Sequence, residues 1–219
     1  MLDQAVRPVA PPADGGAALT TEPTLPARRT PWVLVLGGAV GLVAAAVLLI
    51  EKIKLIEDPD YIPSCSINPI LSCGSIMRTD QAEAFGFPNP IIGVAGFAVV
   101  LTVGLALFAG ATFARWFWLG LQVGVTFGVG FVHWLIFQSL YRIDALCPYC
   151  MVVWAVTIPL FWYVTLHNVR RGHLRLRGFP ARLAAAAEEY HGVVLTAWYL
   201  IIIGLVGQRF WDYWSTLLT

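Results

Sequence analysis

The chain is predicted to be an all-α integral membrane protein: a four-helix bundle with a fifth transmembrane helix. Three observations carry this: an apolar composition, five long stretches without charge, and charges confined to the segments between them. Of the 219 residues, 58% are hydrophobic and 12% charged, with a mean hydropathy of +0.72. A soluble domain of that composition could not cover itself with polar surface. The formal net charge of +1 points neither to nucleic acid nor to an acidic substrate.

Crossing the hydrocarbon layer takes about 20 apolar residues in a helix. Stretches free of Asp, Glu, Lys and Arg run over 32–50, 90–114, 116–141, 145–166 and 192–208; the fifth span is expected to run on past Arg209 to about 210, toward Trp214. They are continuously apolar and lack the alternation of lipid-facing strands, which argues against a barrel. The first thirty residues, rich in Pro, Ala, Gly and Thr, have no apolar face to bury and read as a disordered cytoplasmic tail. A cleaved leader would carry a short apolar core near its start, whereas the first run begins at Trp32 and is long enough to span. The expected organisation is therefore a tail over 1–30 and a five-span membrane domain over 31–214 with a loop at 51–89.

Basic residues near span ends mark the cytoplasmic side. Arg28 and Arg29 precede the first span, Arg115 separates the second from the third, and Arg170, Arg171, Arg175, Arg177 and Arg182 lie between the fourth and fifth. All fall on one face if every span crosses, which leaves the loop 51–89 and the turn around Arg142 and Asp144 on the other. The expected location is the cell membrane, inner or plasma, with these segments outside the cytoplasm.

That outer face holds all four cysteines: Cys65 and Cys73 in the loop, Cys147 and Cys150 at the start of the fourth span. Disulfides persist there because no cytosolic thiol pool reduces them. Four cysteines allow three pairings, and sequence alone does not choose among them. The short separations let Cys65 close on Cys73 and Cys147 on Cys150. Pro148 is preorganised for a first helical turn and follows a cysteine in an N-cap position. Both sulfurs of Cys147-Pro148-Tyr149-Cys150 then meet the free N–H groups of a helix start, which favours thiolate and hence redox exchange. A plain disulfide or half of a zinc site would use the same residues. Alone, the loop pair reads as a staple; beside a second pair on the same face, it can exchange its oxidation state.

These residues resemble those of the vitamin K epoxide reductase family, specifically bacterial members that make disulfides at the expense of a quinone. The likeness rests on Cys65 and Cys73 as a loop pair, Cys147 and Cys150 as a membrane pair at the start of the fourth span, and Asn89-Pro90-Ile91-Ile92-Gly93 before the second. It runs from about Trp32 to Leu166. The fifth span is similar to an extra helix that in some bacterial members leads into a thioredoxin-like domain, which is expected to be absent here.

The resemblance implies an oxidoreductase in which a reduced thioredoxin-like extracytoplasmic partner is oxidised at Cys65, expected to be the more exposed of the loop pair, with Cys73 as the resolving thiol. Cys73 then attacks Cys147, and Cys150 passes electrons to a quinone cofactor, menaquinone or ubiquinone, drawn from the membrane pool. Asn89 would donate a hydrogen bond to a quinone oxygen, as in an oxyanion hole; as a bare residue it reads equally as a cap before Pro90. Trp154, one turn beyond Cys150 on the same helix face, would line the pocket where vertebrate members carry Tyr, and Met77 and Phe85 would cover it. No metal and no nucleic acid is implied. The competing readings are vitamin K epoxide reduction as the main role, a stapled transporter or scaffold, and a four-cysteine zinc site.

Three further features read as structural. Gly120, Gly124 and Gly128 form a small ridge suited to close helix approach. His133 is expected to be neutral and bonded to a neighbouring helix, and Asp144 to be a solvated interface charge.

Overall fold

A computed structural model describes residues 25–174 and 178–216. Most of the tail expected over 1–30, together with Arg175 and Arg177, lies outside them. The described chain forms eight α-helices: α1 (Leu25–Glu57), α2 (Cys73–Met77), α3 (Pro90–Phe108), α4 (Arg115–Gln138), α5 (Pro148–Arg170), α6 (Phe179–Glu189), α7 (His191–Arg209) and α8 (Trp211–Thr216). Five helical segments are long and apolar enough to cross a membrane, and these correspond to α1, α3, α4, α5 and α7. The protein is a multi-pass, all-helical membrane protein.

Two boundaries differ from the sequence expectation for physical reasons. α1 does not stop at Ile50: its 33 residues make a rod of about 50 Å at 1.5 Å per residue, longer than a hydrocarbon core of about 30 Å. The added turns carry Glu51 and Lys52, both buried because both have partners. α3 ends at Phe108 rather than near Ala114. The chain turns there through Gly110, whose φ of +83° is cheap only for glycine.

Packed interfaces run from α3 to α1, from α1 to α5 and from α5 to α4, so α3 and α4 stand at the two ends of the series. Contact between α1 and α3 is close. A Cβ on Gly38 would lie 2.7 Å from the Leu101 backbone nitrogen, one on Gly41 would fall 2.4 Å from the Phe97 ring, and one on Gly104 would meet the Val35 backbone nitrogen at 2.8 Å. The expected ridge on α4 behaves in the opposite way. A Cβ on Gly120 or Gly124 would meet nothing within 4 Å, and one on Gly128 would meet only Thr157 Cγ2 at 3.6 Å. Those glycines face open space between α3 and α4, and the close approach belongs to α1.

α7 docks on the α4–α5 pair through polar contacts. The Trp198 indole N–H donates to His133 Nε2 at 2.9 Å, and His133 Nδ1 lies 2.7 Å from the Val129 carbonyl. A carbonyl only accepts, so Nδ1 carries the proton, Nε2 is the acceptor and the imidazole is neutral, in agreement with the sequence expectation. Arg209 donates to the Leu140 carbonyl at 2.7 Å and pairs with Asp144. Asp144 is therefore a partner of α7 rather than a lone solvated charge. At the end of the bundle away from the cysteines, fully buried Asn168 donates to the Trp118 carbonyl and to Gln122 Oε1, and its own Oδ1 is met by His173 Nδ1. Those bonds satisfy its amide on all sides, which a buried polar group requires.

Candidate active site

The site forms where two chain segments of distant sequence run side by side. α4 ends in a π-helical turn over Ser139–Ile143, closed by Asp144 in the left-handed region at φ 58°. The strand-like piece that follows pairs with the loop: the Leu146 N–H donates to the Ile70 carbonyl at 2.7 Å and the Ser72 N–H to the Leu146 carbonyl at 2.9 Å. Asn68 prepares the loop side, its Oδ1 accepting from the N–H groups of Ile70 and Leu71 in a side-chain-closed turn. Leu71 beside Leu146 brings Cys73 beside Cys147.

Both cysteines sit at helix starts. Ser72 caps α2 by accepting from the Ser75 N–H, and Cys73 is its first residue. Cys147 caps α5, its sulfur accepting from the Cys150 N–H at 3.3 Å, with Pro148 in the first turn as the sequence indicated. Cys65 and Cys73 are joined in a disulfide, and Cys147 and Cys150 are free thiols. The Cys73 and Cys147 sulfurs are 3.0 Å apart, and the sulfurs of Cys65, Cys73 and Cys147 all lie within 4.8 Å of one another. The Cys147 thiol is held below its ordinary value by the hydrogen bond from the Cys150 thiol and by the N–H groups of Cys150 and Tyr149, which together outweigh burial. A bridge between Cys65 and Cys73 also removes two of the four thiolates that the zinc reading requires.

The loop cysteines are less accessible than expected. Cys65 is 4% exposed and Cys73 not at all. Cys65 belongs to a cluster with Leu48, Leu55, Cys73, Met77 and Cys147. Glu51 fastens the segment before it by accepting from Tyr61 Oη, Ser64 Oγ and the Ser64 N–H.

Beyond Cys150 a cavity of about 840 Å³ opens between α3 and α4, with α1 and α5 as its back wall. Its cysteine end holds Lys52, Met77, Gln81, Asn89, Gln138, Ser139 and Cys150, and the apolar remainder passes the three α4 glycines to Trp116 and Phe117. Of the proposed pocket residues, Asn89, Trp154 and Met77 line it. Asn89 occupies the N-cap position of α3, but its side chain does not cap the helix; it donates to the Gln81 carbonyl at 2.7 Å and accepts from the Ala84 N–H. Trp154 is 4% exposed, and its indole N–H has no partner among the described residues. Phe85 is not among the lining residues, where Phe87 stands instead; its ring packs on Phe127 and Phe131 of α4 and so pins the loop across the opening. Sequence reading missed Lys52, Ser139 and Thr157. Lys52 alone left a signal, being a charge two positions beyond an apolar run.

The pocket fits a quinone. Its volume lies in the range of small-molecule sites, its walls are apolar, and an unpaired buried donor sits in its lining. No curated protein sequence matches the chain. The sequence pattern of the vitamin K epoxide reductase family matches residues 32–165, a stretch holding all four cysteines, Asn89 and Trp154. A membrane oxidoreductase arrangement of two adjoining cysteine pairs against an apolar cavity, and a family match over more than half of the chain, make this protein a member of the vitamin K epoxide reductase family, whose members use quinones.

Proposed function

We propose that this protein oxidises a thioredoxin-like partner outside the cytoplasm and passes the electrons to menaquinone or ubiquinone, so driving disulfide formation. The observation that carries this reading is the 3.0 Å approach of Cys73 to Cys147 with Cys150 on the cavity wall.

A thiolate of the reduced partner attacks Cys65, forming a mixed disulfide and releasing Cys73 as thiolate; a second partner thiol, rather than Cys73, then resolves it, since attack by Cys73 would only reverse the step, and the partner leaves oxidised. Cys73 attacks the Cys147 sulfur of a Cys147–Cys150 bridge, which breaks that bridge and releases Cys150 as thiolate. Cys65 next attacks Cys73, restoring the loop bridge and freeing Cys147. The loop pair is then oxidised and the helix pair reduced. Stabilisation of Cys147 as thiolate makes it a good leaving group in this last exchange.

A quinone bound in the cavity supplies a sink for two electrons and two protons, which matches what the Cys147 and Cys150 thiols give up on closing their bridge. The Trp154 indole N–H and the second Nδ2 proton of Asn89 would hold it, and Phe87 and Met77 would exclude water. Orientation with the cysteines outside rests on Arg29, Arg115, Arg170 and Arg171 at the other end of the bundle. Because Cys65 is buried, the partner must first displace the segment that Glu51 fastens.

The test is quinone reduction by the purified protein in lipid, with a reduced thioredoxin-like protein or a small dithiol as donor. The intact chain reduces quinone with either donor, Cys150→Ala with neither, and Cys65→Ala with the small dithiol only. Quinone reduction that survives Cys150→Ala would overturn the proposal.

A further inference from the structure

Among the described residues that line the cavity, Lys52 and Cys150 are the ionisable ones. Cys150 has its place in the relay; Lys52 has none. Lys52 lies in the turns that carry α1 beyond its apolar run, yet it is buried, and a buried charge is costly unless it is paired and hydrogen-bonded. The Lys52 side chain is only 11% exposed. Two of its three protons have partners at the cysteine end of the cavity: Nζ donates to the Met77 carbonyl at 2.7 Å and pairs with Glu83 Oε1 at 2.9 Å. The third is uncommitted by these contacts. Glu83 is 40% exposed, so water screens its charge more than that of Lys52. Three neighbouring charged groups face elsewhere: Glu51 is turned to Tyr61 and Ser64, Lys54 lies over the Tyr61 ring, and Arg78 donates to the Pro59 carbonyl.

We infer that Lys52 is a specificity-determining residue which presents a fixed positive charge to the head of the cavity, and that the cavity therefore prefers ring ligands bearing an anionic oxygen over neutral ones of the same shape. This rests on the quinone reading and deepens it by naming the group that meets the oxygen on which charge accumulates. Asn89 and Gln81, which line the same end, supply neutral dipoles; only Lys52 discriminates by charge.

Binding tests this without turnover. Two probes of near-equal shape are a methyl-naphthoquinone, neutral, and a hydroxy-naphthoquinone, an anion at neutral pH. Their dissociation constants would be measured by quenching of tryptophan fluorescence on the intact, detergent-purified chain and on Lys52→Met, Lys52→Arg and Glu83→Gln, with thermal unfolding and an intact Cys65–Cys73 bridge as controls of fold. Lys52→Met should weaken the anion relative to the neutral probe by about tenfold, the scale of one hydrogen bond to a charged group. Lys52→Arg should keep the preference. Glu83→Gln, which removes a half-exposed counter-charge and should fold whatever becomes of Lys52→Met, should strengthen it by about threefold. An unchanged preference in folded Lys52→Met, or in Glu83→Gln, would overturn the inference while leaving the quinone reading standing. If neither probe binds the intact chain, the quinone reading falls and this inference falls with it.

Discussion

The two sides of α3 use the same residue type to opposite ends. Toward α1, Gly38 and Gly104 let backbones meet at distances that no Cβ would allow, and Gly41 makes room for the Phe97 ring. Toward α4, Gly120 and Gly124 touch nothing, and the space they leave is the cavity. A glycine spacing of four on a membrane helix thus states only that one face is smooth. Whether another helix or a ligand fills the room is decided by the partner element, and α3 already spends its contacts on α1.

The sharpest way to break this contrast is to add side chains on each side. Gly38→Val forces the Leu101 backbone away, with nothing flexible to yield, and should cost about 3 kcal/mol or more of stability; thermal unfolding in detergent reads this as loss of folded protein. Gly124→Leu fills open space instead. Its stability should stay within about 1 kcal/mol of the parent, while affinity for a long-tailed quinone falls by about tenfold as the cavity narrows; equal destabilisation by both substitutions would erase the distinction. The smallest effect is expected where α7 docks. Trp198→Phe removes the bond to His133 and should cost about 0.6 kcal/mol, the mean of side-chain hydrogen bonds between membrane helices, with the relay untouched.

Much of the architecture was readable in the sequence because it follows from one-dimensional rules. Apolar length gave the five spans, and Pro90 and Pro148 marked helix starts that the structure reproduces to the residue. The spacing of Cys147 and Cys150 put both in one first turn. What stayed hidden depends on contacts across the chain. Nothing in the neighbourhood of Leu71 announces that it pairs with Leu146, although that bridge sets the distance between the two cysteine pairs. The burial of Cys65 follows from Glu51, fourteen positions earlier, which a charge count assigns to a loop but which continues α1 and turns inward to Tyr61 and Ser64. Phe85 and Phe87 illustrate the same limit at finer grain. Two aromatic residues two positions apart divide the work: one grips α4 and the other lines the cavity, and composition does not say which.

The proposed relay depends above all on direct exchange between Cys73 and Cys147. Removing the other cysteine of each pair, in Cys65→Ala with Cys150→Ala, leaves these two sulfurs with no partner but each other. Mild oxidation in lipid followed by peptide mass spectrometry should then find Cys73 and Cys147 joined in nearly all of the protein within a single chain. Two free thiols, or bridges only between separate chains, would contradict the relay.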